Sequence, residues 1–121
     1  LQEFCTGWQH GLGTFISVSL GVGIQAESAG IAFIEHMLEP ALQALEARIA
    51  WHAEQGDIKP STDHRLAALA LFSPIFVALL HQGPLHGNRC RPLDIQQLVE
   101  SQIRIFVEAY GHTADGTQTP P

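Results

Sequence analysis

Apolar side chains recur every third or fourth position through most of the chain, which is the spacing of amphipathic α-helices. Runs of β-branched residues between turn residues, the pattern of strands, are scarce. The clearest helix is predicted over residues 30–55, with Ser28 as its N-cap and Gly56 as its C-terminal stop. Pro40 removes one backbone donor inside this stretch, so we expect a kink there or a division into two shorter helices. The pattern predicts an all-α fold.

A second helix is predicted over residues 63–82, between a cap at Thr62 or Asp63 and a stop at Gly83–Pro84. It is apolar on all sides, so it has to be covered on all sides, which one small domain can hardly do with its own chain. We therefore expect a second copy of the chain to cover one side. Smaller side chains line the side that suits close approach of another helix: Ala70, Ser73 and Val77.

The third clear helix is predicted over residues 95–110. Asp94 is its N-cap, Gln97 stands three residues later as in a capping box, and Gly111 ends it. Its apolar residues cover more than one narrow stripe. We therefore expect this helix, like the second, to contact two neighbours.

The first thirty residues combine two conflicting signals. Repeated glycines lower helix propensity, and apolar residues in 15–24 alternate as in a strand. A lone strand has no partner in an otherwise helical chain, so we predict two helices, over residues 1–11 and 14–25. The whole is then a bundle of about five helices.

The composition is that of one compact domain: 121 residues, of which 45% are hydrophobic and 15% charged. We assign the domain to residues 1–111 and expect residues 112–121, rich in Thr, Gly, Gln and Pro, to form a flexible tail. Six Lys and Arg against twelve Asp and Glu give a formal charge of -6. That sign is unsuited to direct binding of nucleic acid or anionic lipid.

No membrane-spanning segment is expected. The longest nearly uncharged stretch, residues 66–80, is shorter than the roughly 20 apolar residues that a span needs, and Pro74 interrupts it. The chain begins with Leu1 and its one methionine is Met37, so we expect a processed chain or a fragment. A signal sequence, in which a basic segment is followed by an apolar one, is not found at its start, and we expect a cytoplasmic location.

The residues that could carry chemistry form no recognisable catalytic or metal-binding pattern. Seven histidines show neither a His-x-x-x-His nor a Glu-x-x-His spacing, and the two cysteines form no Cys-x-x-Cys pair. His81, His86 and Cys90 lie across a Gly/Pro connector and are interpreted as solvated. Cys5 lacks an assignable base and oxyanion site. We therefore expect no catalytic residue, metal or cofactor, and no enzyme activity.

Large apolar side chains could instead line a cavity between helices for a small organic ligand, with a polar anchor or two. The candidate ligand-binding residues are Trp8, Phe15, Phe33, Met37, His52, Phe72 and Phe76. His52 is included because it projects onto the apolar stripe of its helix. The alternative interpretation is that these side chains are plain core.

Several strings, in their order and spacing, resemble the C-terminal domain of TetR-family transcriptional repressors. They are Glu39–Leu42, Gly56–Pro60, Asp63–Leu71, Phe72–Pro74, Arg91–Asp94 and Ala109–Gly111. The resemblance covers about residues 28–111. It implies that the last two helices form a four-helix bundle with the same pair of a second subunit. The interface residues expected on this pair are Leu66, Ala70, Ser73, Val77, Leu80, Val99, Ile103, Phe106, Val107 and Tyr110.

The resemblance implies the effector-sensing and homodimerisation half of a repressor. The family's N-terminal helix-turn-helix is not found in this chain, so operator DNA would be bound only through that absent part. Few charged groups are predicted in the interior, which favours a small apolar or amphipathic effector. Two alternatives are a helical dimerisation module without a ligand and a small metal-binding helical bundle.

Overall fold

The computed structural model describes residues 1–112, so the predicted tail apart from His112 lies outside the described residues. The His112 amide donates to the Asp57 carbonyl at 2.8 Å, which joins this residue to the domain. The described part contains six α-helices and no strand: α1 Gln2–Gly7, α2 Gly13–Gln25, α3 Glu27–Phe33, α4 Glu39–Glu54, α5 His64–Gln82 and α6 Ile95–Tyr110. A single isolated bridge pairs Ile58 with Gly111. The prediction of an all-α bundle is confirmed.

Two wide, π-helical turns join neighbouring helices. The first, Trp8–Leu12, links α1 to α2 and bends at Gly11, whose φ of +116° suits glycine. The second, Ile34–Leu38, links α3 to α4, and Pro40 stands in the first turn of α4. Proline is tolerated there because the first turn needs no donor from it. The helix widens just before Pro40, but the backbone at Leu38 and Glu39 stays helical, so the chain is not divided there.

The start of α3 corrects the predicted cap. Ala26 is the residue at the N-cap and Ser28 lies inside the helix, so the Ser28 prediction is wrong. The chain reverses at Ala26 because α2 and α3 approach closely at Gly23 and Gly30. A Cβ on Gly30 would lie 2.8 Å from the Gly23 carbonyl oxygen. The crossing, and not a capping side chain, sets where α3 begins.

The ends of α5 and α6 agree with the capping residues in the sequence. The Asp63 carboxylate accepts a hydrogen bond from the Leu66 amide at 2.9 Å, and Asp94 accepts one from the Gln97 amide at 3.2 Å. α5 ends at Gln82, directly before Gly83. Both helices therefore begin where local side-chain chemistry satisfies their first backbone donors.

The core lies on both sides of α5. One cluster joins it to α1, α2, α3 and α6 and contains Trp8, Ile16, Phe33, Ile75, Leu79 and Val99. A second cluster joins the first half of α5 to the end of α4 and contains Ile49, Ile58, Ala67 and Ala68. α5 is therefore the central helix of the chain.

Polar side chains fix the segments at the two ends of α5. Buried Gln82 donates to the Arg91 carbonyl at 2.8 Å and accepts from the Leu93 amide at 2.9 Å, which holds the connector to α6. At the other end the Lys59 amide donates to the Tyr110 carbonyl at 2.9 Å. The Lys59 ammonium donates to the Ala109 carbonyl at 3.0 Å, at the negative end of the α6 dipole.

Pro74 interrupts the hydrogen bonds of α5, and Gln102 of α6 compensates. Proline has no N–H, so the Ala70 carbonyl four residues earlier has no donor within its own helix. The Gln102 side-chain amide donates to this carbonyl at 3.0 Å. The bond fixes the register between α5 and α6 at the middle of both helices.

Replacing Gln102 with methionine is expected to lower the free energy of unfolding by about 1 kcal/mol, because the Ala70 carbonyl loses its protein donor. In a Pro74→Ala background the same substitution should cost less, since the alanine introduced there supplies the missing N–H. Urea unfolding of wild type, the two single variants and the double variant gives the coupling energy between positions 74 and 102. An equal cost of Gln102→Met in both backgrounds would contradict this role.

Arg65 joins the start of α5 to α4. Its guanidinium donates to the Glu39 carboxylate at 2.9 Å and to the Glu46 carboxylate at 3.2 Å. The hydrogen bond from Arg65 lowers the pKa of Glu39 below its ordinary value. The folded chain therefore favours the ionised form of Glu39.

Replacing Arg65 with methionine is expected to flatten the acid side of the stability profile. A carboxyl group whose pKa is lower in the folded chain stabilises the fold at pH values above its ordinary pKa of about 4.3. This stabilisation is lost as the pH falls through the pKa of the folded chain. Urea unfolding should show that the free energy of unfolding falls more between about pH 7 and about pH 3 in wild type than in Arg65→Met. Arg48→Met is the control, because Arg48 forms no ion pair with the described residues. Parallel profiles for wild type and Arg65→Met would contradict the prediction.

Candidate functional site

One flank of α5 is apolar and uncovered in the single chain. Its opposite side is fully packed, with Ala67, Ala68 and Ile75 entirely buried. On the uncovered side Val77 is 61% exposed, and Leu66 is equally so. Ala70 and Ser73 lie exposed between them. α5 therefore has a side for its own core and a side without a partner.

α6 also carries exposed apolar side chains, among them Ile103 and Val107. We call these exposed side chains of the two helices together the α5–α6 face. It consists of Leu66, Ala70, Ser73, Val77, Ile103 and Val107. Each of these residues belongs to the interface predicted from the sequence.

Four other residues of the predicted interface are placed differently. Val99 is buried in the chain's own core with Ile75 and Leu79, so it is not part of the exposed face. Phe106 and Tyr110 are half-buried and pack on the cluster around Ile49. Leu80 is half-buried and packs on the main core. The three α6 residues and Leu80 of α5 therefore lie on the sides of their helices that face the chain's own core.

α5 is also long and apolar enough to cross a membrane, as the one such helix among residues 1–112. The criterion is length and composition alone, which the core helix of a folded domain also meets. Arg65 and Gln82, near its two ends, bond to neighbouring elements of the fold. These bonds and the packed side identify α5 as the central helix of the bundle.

The predicted ligand-binding aromatics pack mainly against one another. Phe76 meets Trp8 edge-on with 5.9 Å between ring centroids and stacks on Phe72 at 5.4 Å. Phe33 is buried in the same cluster, and Met37 packs against it. The five side chains are brought together, but their rings fill the space between the helices.

Phe15 and His52 lie outside this cluster. Phe15 is 59% exposed on α2. His52 lies near the end of α4, where its Nδ1 is 3.0 Å from the Asp57 carboxylate and its ring meets Trp51 edge-on. Neither side chain shares a space with the other five.

Two open clefts lie on either side of α1, and sequence analysis did not identify either. The α1–α4 cleft has a volume of about 700 Å³ and is lined by Glu3, Phe4, Ala44, Leu45, Arg48 and Phe72, among others. The α1–α6 cleft has a volume of about 480 Å³ and is lined by Gln2, Cys5, Gln9, Gln96, Glu100 and Ile103, among others. Phe72 is the predicted ligand-binding residue that these clefts include. The available sequence signal was the helical spacing of polar residues along α1 and the turn after it, at Gln2, Thr6 and Gln9.

The ionisable groups suggest no metal centre in the described part of the chain. No group of three or more His, Cys, Asp or Glu residues within it could hold a metal ion. Cys5 lies partly buried in the α1–α6 cleft, and burial raises the pKa of its thiol. A thiol with a raised pKa is a weaker nucleophile than an ordinary one, so Cys5 is not a candidate catalytic nucleophile.

Comparisons with protein-family models, with curated proteins and with solved structures found no match. The resemblance to TetR-family repressors therefore remains a hypothesis based on the strings of the sequence. Any function has to be inferred from the α5–α6 face and the two clefts.

Proposed function

We propose that the chain is a homodimerising, effector-binding domain of the kind found in the C-terminal half of TetR-family repressors. The observation that supports this most is the α5–α6 face, on which Leu66, Val77 and Val107 are exposed beside a fully packed core. Burial of apolar surface stabilises a complex by about 25 cal/mol for each Å² removed from water. Exposed apolar side chains on two adjacent helices are therefore typical of a protein interface.

A second copy of the chain fits this face. Small side chains at Ala70 and Ser73 allow helices to approach closely, and no charged residue belongs to the face. Charges of both signs, Glu100, Arg104 and Glu108, follow one another along α6 one turn apart. A two-fold antiparallel pairing of α6 can place Glu100 of one copy opposite Arg104 of the other, and Glu108 then lies opposite the uncharged Gln96.

The α1–α4 cleft is the effector site in this proposal. Its volume of about 700 Å³ lies within the usual range for ligand pockets. Phe4 and Phe72 form an aromatic wall, and Glu3 and Arg48 supply polar anchors. This combination suits the apolar or amphipathic effector expected from the sequence. An effector that favours one arrangement of the dimer would act on DNA through a helix-turn-helix outside residues 1–121.

A thermal-shift screen with a library of hydrophobic compounds tests the effector site, because any ligand of the native state raises its melting temperature. Compounds that do so should lose the effect in Ala44→Trp, which fills the α1–α4 cleft. The same compounds should still raise the melting temperature of Ala47→Trp, because Ala47 lies one turn along α4 and outside the lining of that cleft. A dimer that no compound stabilises would favour the alternative, a dimerisation module whose aromatics are all core. The ring-to-ring packing of Trp8, Phe72 and Phe76 is the observation on which that alternative depends.

A further inference from the structure

The α1–α6 cleft has a different lining from the effector site proposed above. Its floor is apolar and consists of Ile95, Val99 and Ile103. Its rim carries side-chain amides from α1, from the turn that follows α1 and from α6, at Gln2, Gln9 and Gln96. An apolar floor under several polar groups is the arrangement that binds amphipathic small molecules.

The polar groups of this rim are free to bind a ligand. Within residues 1–112, the side chains of Gln2, Gln9 and Gln96 make no hydrogen bond to another residue. A carboxamide both donates and accepts, so these groups complement another carboxamide or a hydroxyl group. An anionic ligand fits the site less well, because Glu100 lines it and a carboxylate repels a negative charge.

We propose that the α1–α6 cleft binds an uncharged amphiphile, with a carboxamide or hydroxyl head on the glutamines and an alkyl or aryl part on the apolar floor. Ile103 belongs both to this floor and to the α5–α6 face. A second copy seated on that face covers Ile103 and closes the outer side of the cleft. This closure rests on the proposed dimer, whereas binding in the cleft does not.

Hexanamide is a suitable probe, and alkylation of Cys5 by iodoacetamide reports its binding. In Cys90→Ser, bound hexanamide should slow alkylation of Cys5, to about a quarter of the free rate at three times its dissociation constant. In Cys5→Ser, alkylation of Cys90 should not change, because Cys90 is exposed outside the cleft. Hexanoate, with the same chain and a negative head, should protect far less. Absence of protection by hexanamide, or equal protection by both compounds, would overturn the proposal.

Neighbouring glutamines of α6 provide a matched pair of variants. Gln96→Leu, made in Cys90→Ser, should weaken hexanamide protection several-fold, because the site loses a hydrogen-bonding group. Gln97→Leu should keep full protection, because Gln97 does not line the cleft. Equal protection in the two variants would overturn the assignment of the head group to the glutamines.

The dependence on the second copy is measured separately. In Cys90→Ser with Val77→Asp, light scattering establishes whether the protein is a monomer, and Cys5 protection establishes whether hexanamide still binds. Weaker protection in the monomer supports closure by the partner, and unchanged protection overturns it. If Cys90→Ser itself is a monomer and hexanamide protects Cys5, the proposed dimer fails while binding in the cleft holds.

Discussion

Replacing Val77 with aspartate is expected to convert a dimer of the chain into a monomer. Val77 is 61% exposed in the single chain and lies within the α5–α6 face. In the dimer the aspartate would be buried against apolar side chains without a partner charge, at a cost of several kcal/mol. Light scattering at matched protein concentration measures the change. Ser73→Asp, on the same flank of α5, should have the same effect.

The matched control is Val22→Asp on α2. Val22 is 55% exposed, so the substitution places the same charge on a similarly exposed valine of another helix. It should leave the dimer intact. A dimeric Val77→Asp protein would contradict the assignment of the interface. A monomeric Val22→Asp protein beside a dimeric Val77→Asp protein would move the interface to α2.

Replacing Phe72 with alanine is expected to lower the free energy of unfolding by about 3 to 5 kcal/mol. Phe72 is 5% exposed, and its ring contacts both Phe4 and Phe76. Removing the ring leaves a cavity in the aromatic cluster. Urea unfolding monitored by circular dichroism gives the loss. Any compound that binds the α1–α4 cleft should also bind this variant more weakly, because Phe72 lines that cleft.

Phe15→Ala is the control for this prediction. Phe15 is 59% exposed, so its removal takes little apolar area out of the core and should change stability by less than about 0.5 kcal/mol. Similar losses for the two variants would contradict the described burial. A loss below about 1.5 kcal/mol for Phe72→Ala would show that its ring adds little to the core.

The boundaries of α5 and α6 could be predicted because local chemistry determines them. Asp63 and Asp94 cap the backbone donors that follow them within three residues, and Gly83 ends α5. The start of α3 could not be predicted in this way. It depends on the close crossing of α2 and α3 at Gly30, which no local pattern of capping residues encodes.

The side of a helix that faces inward depends on neighbours that are distant in the sequence. Periodicity indicated that α6 contacts two neighbours, but it did not show that Val99 packs into the chain's own core while Ile103 remains exposed. The same limit applies to Gln102. The sequence shows that Pro74 leaves a carbonyl without a donor, whereas the donor comes from a residue of another helix.

The ligand site was the least predictable part, because a filled core and a hollow one have the same composition. The sequence suggested a cavity lined by aromatic rings, and the structure stacks Phe72 on Phe76. The clefts instead lie on either side of α1, where Gln2 lines both. Their existence depends on how α1 crosses α4 and α6, which is a property of the packed helices.

The mass of the wild-type chain in solution tests the central claim most directly. Sedimentation equilibrium over a range of concentrations should give about twice the 13.2 kDa of one chain, because the α5–α6 face is covered by a second copy. The Val77→Asp protein should sediment as a single chain under the same conditions. A wild-type mass equal to that of one chain throughout the range would contradict the dimer and the function proposed from it.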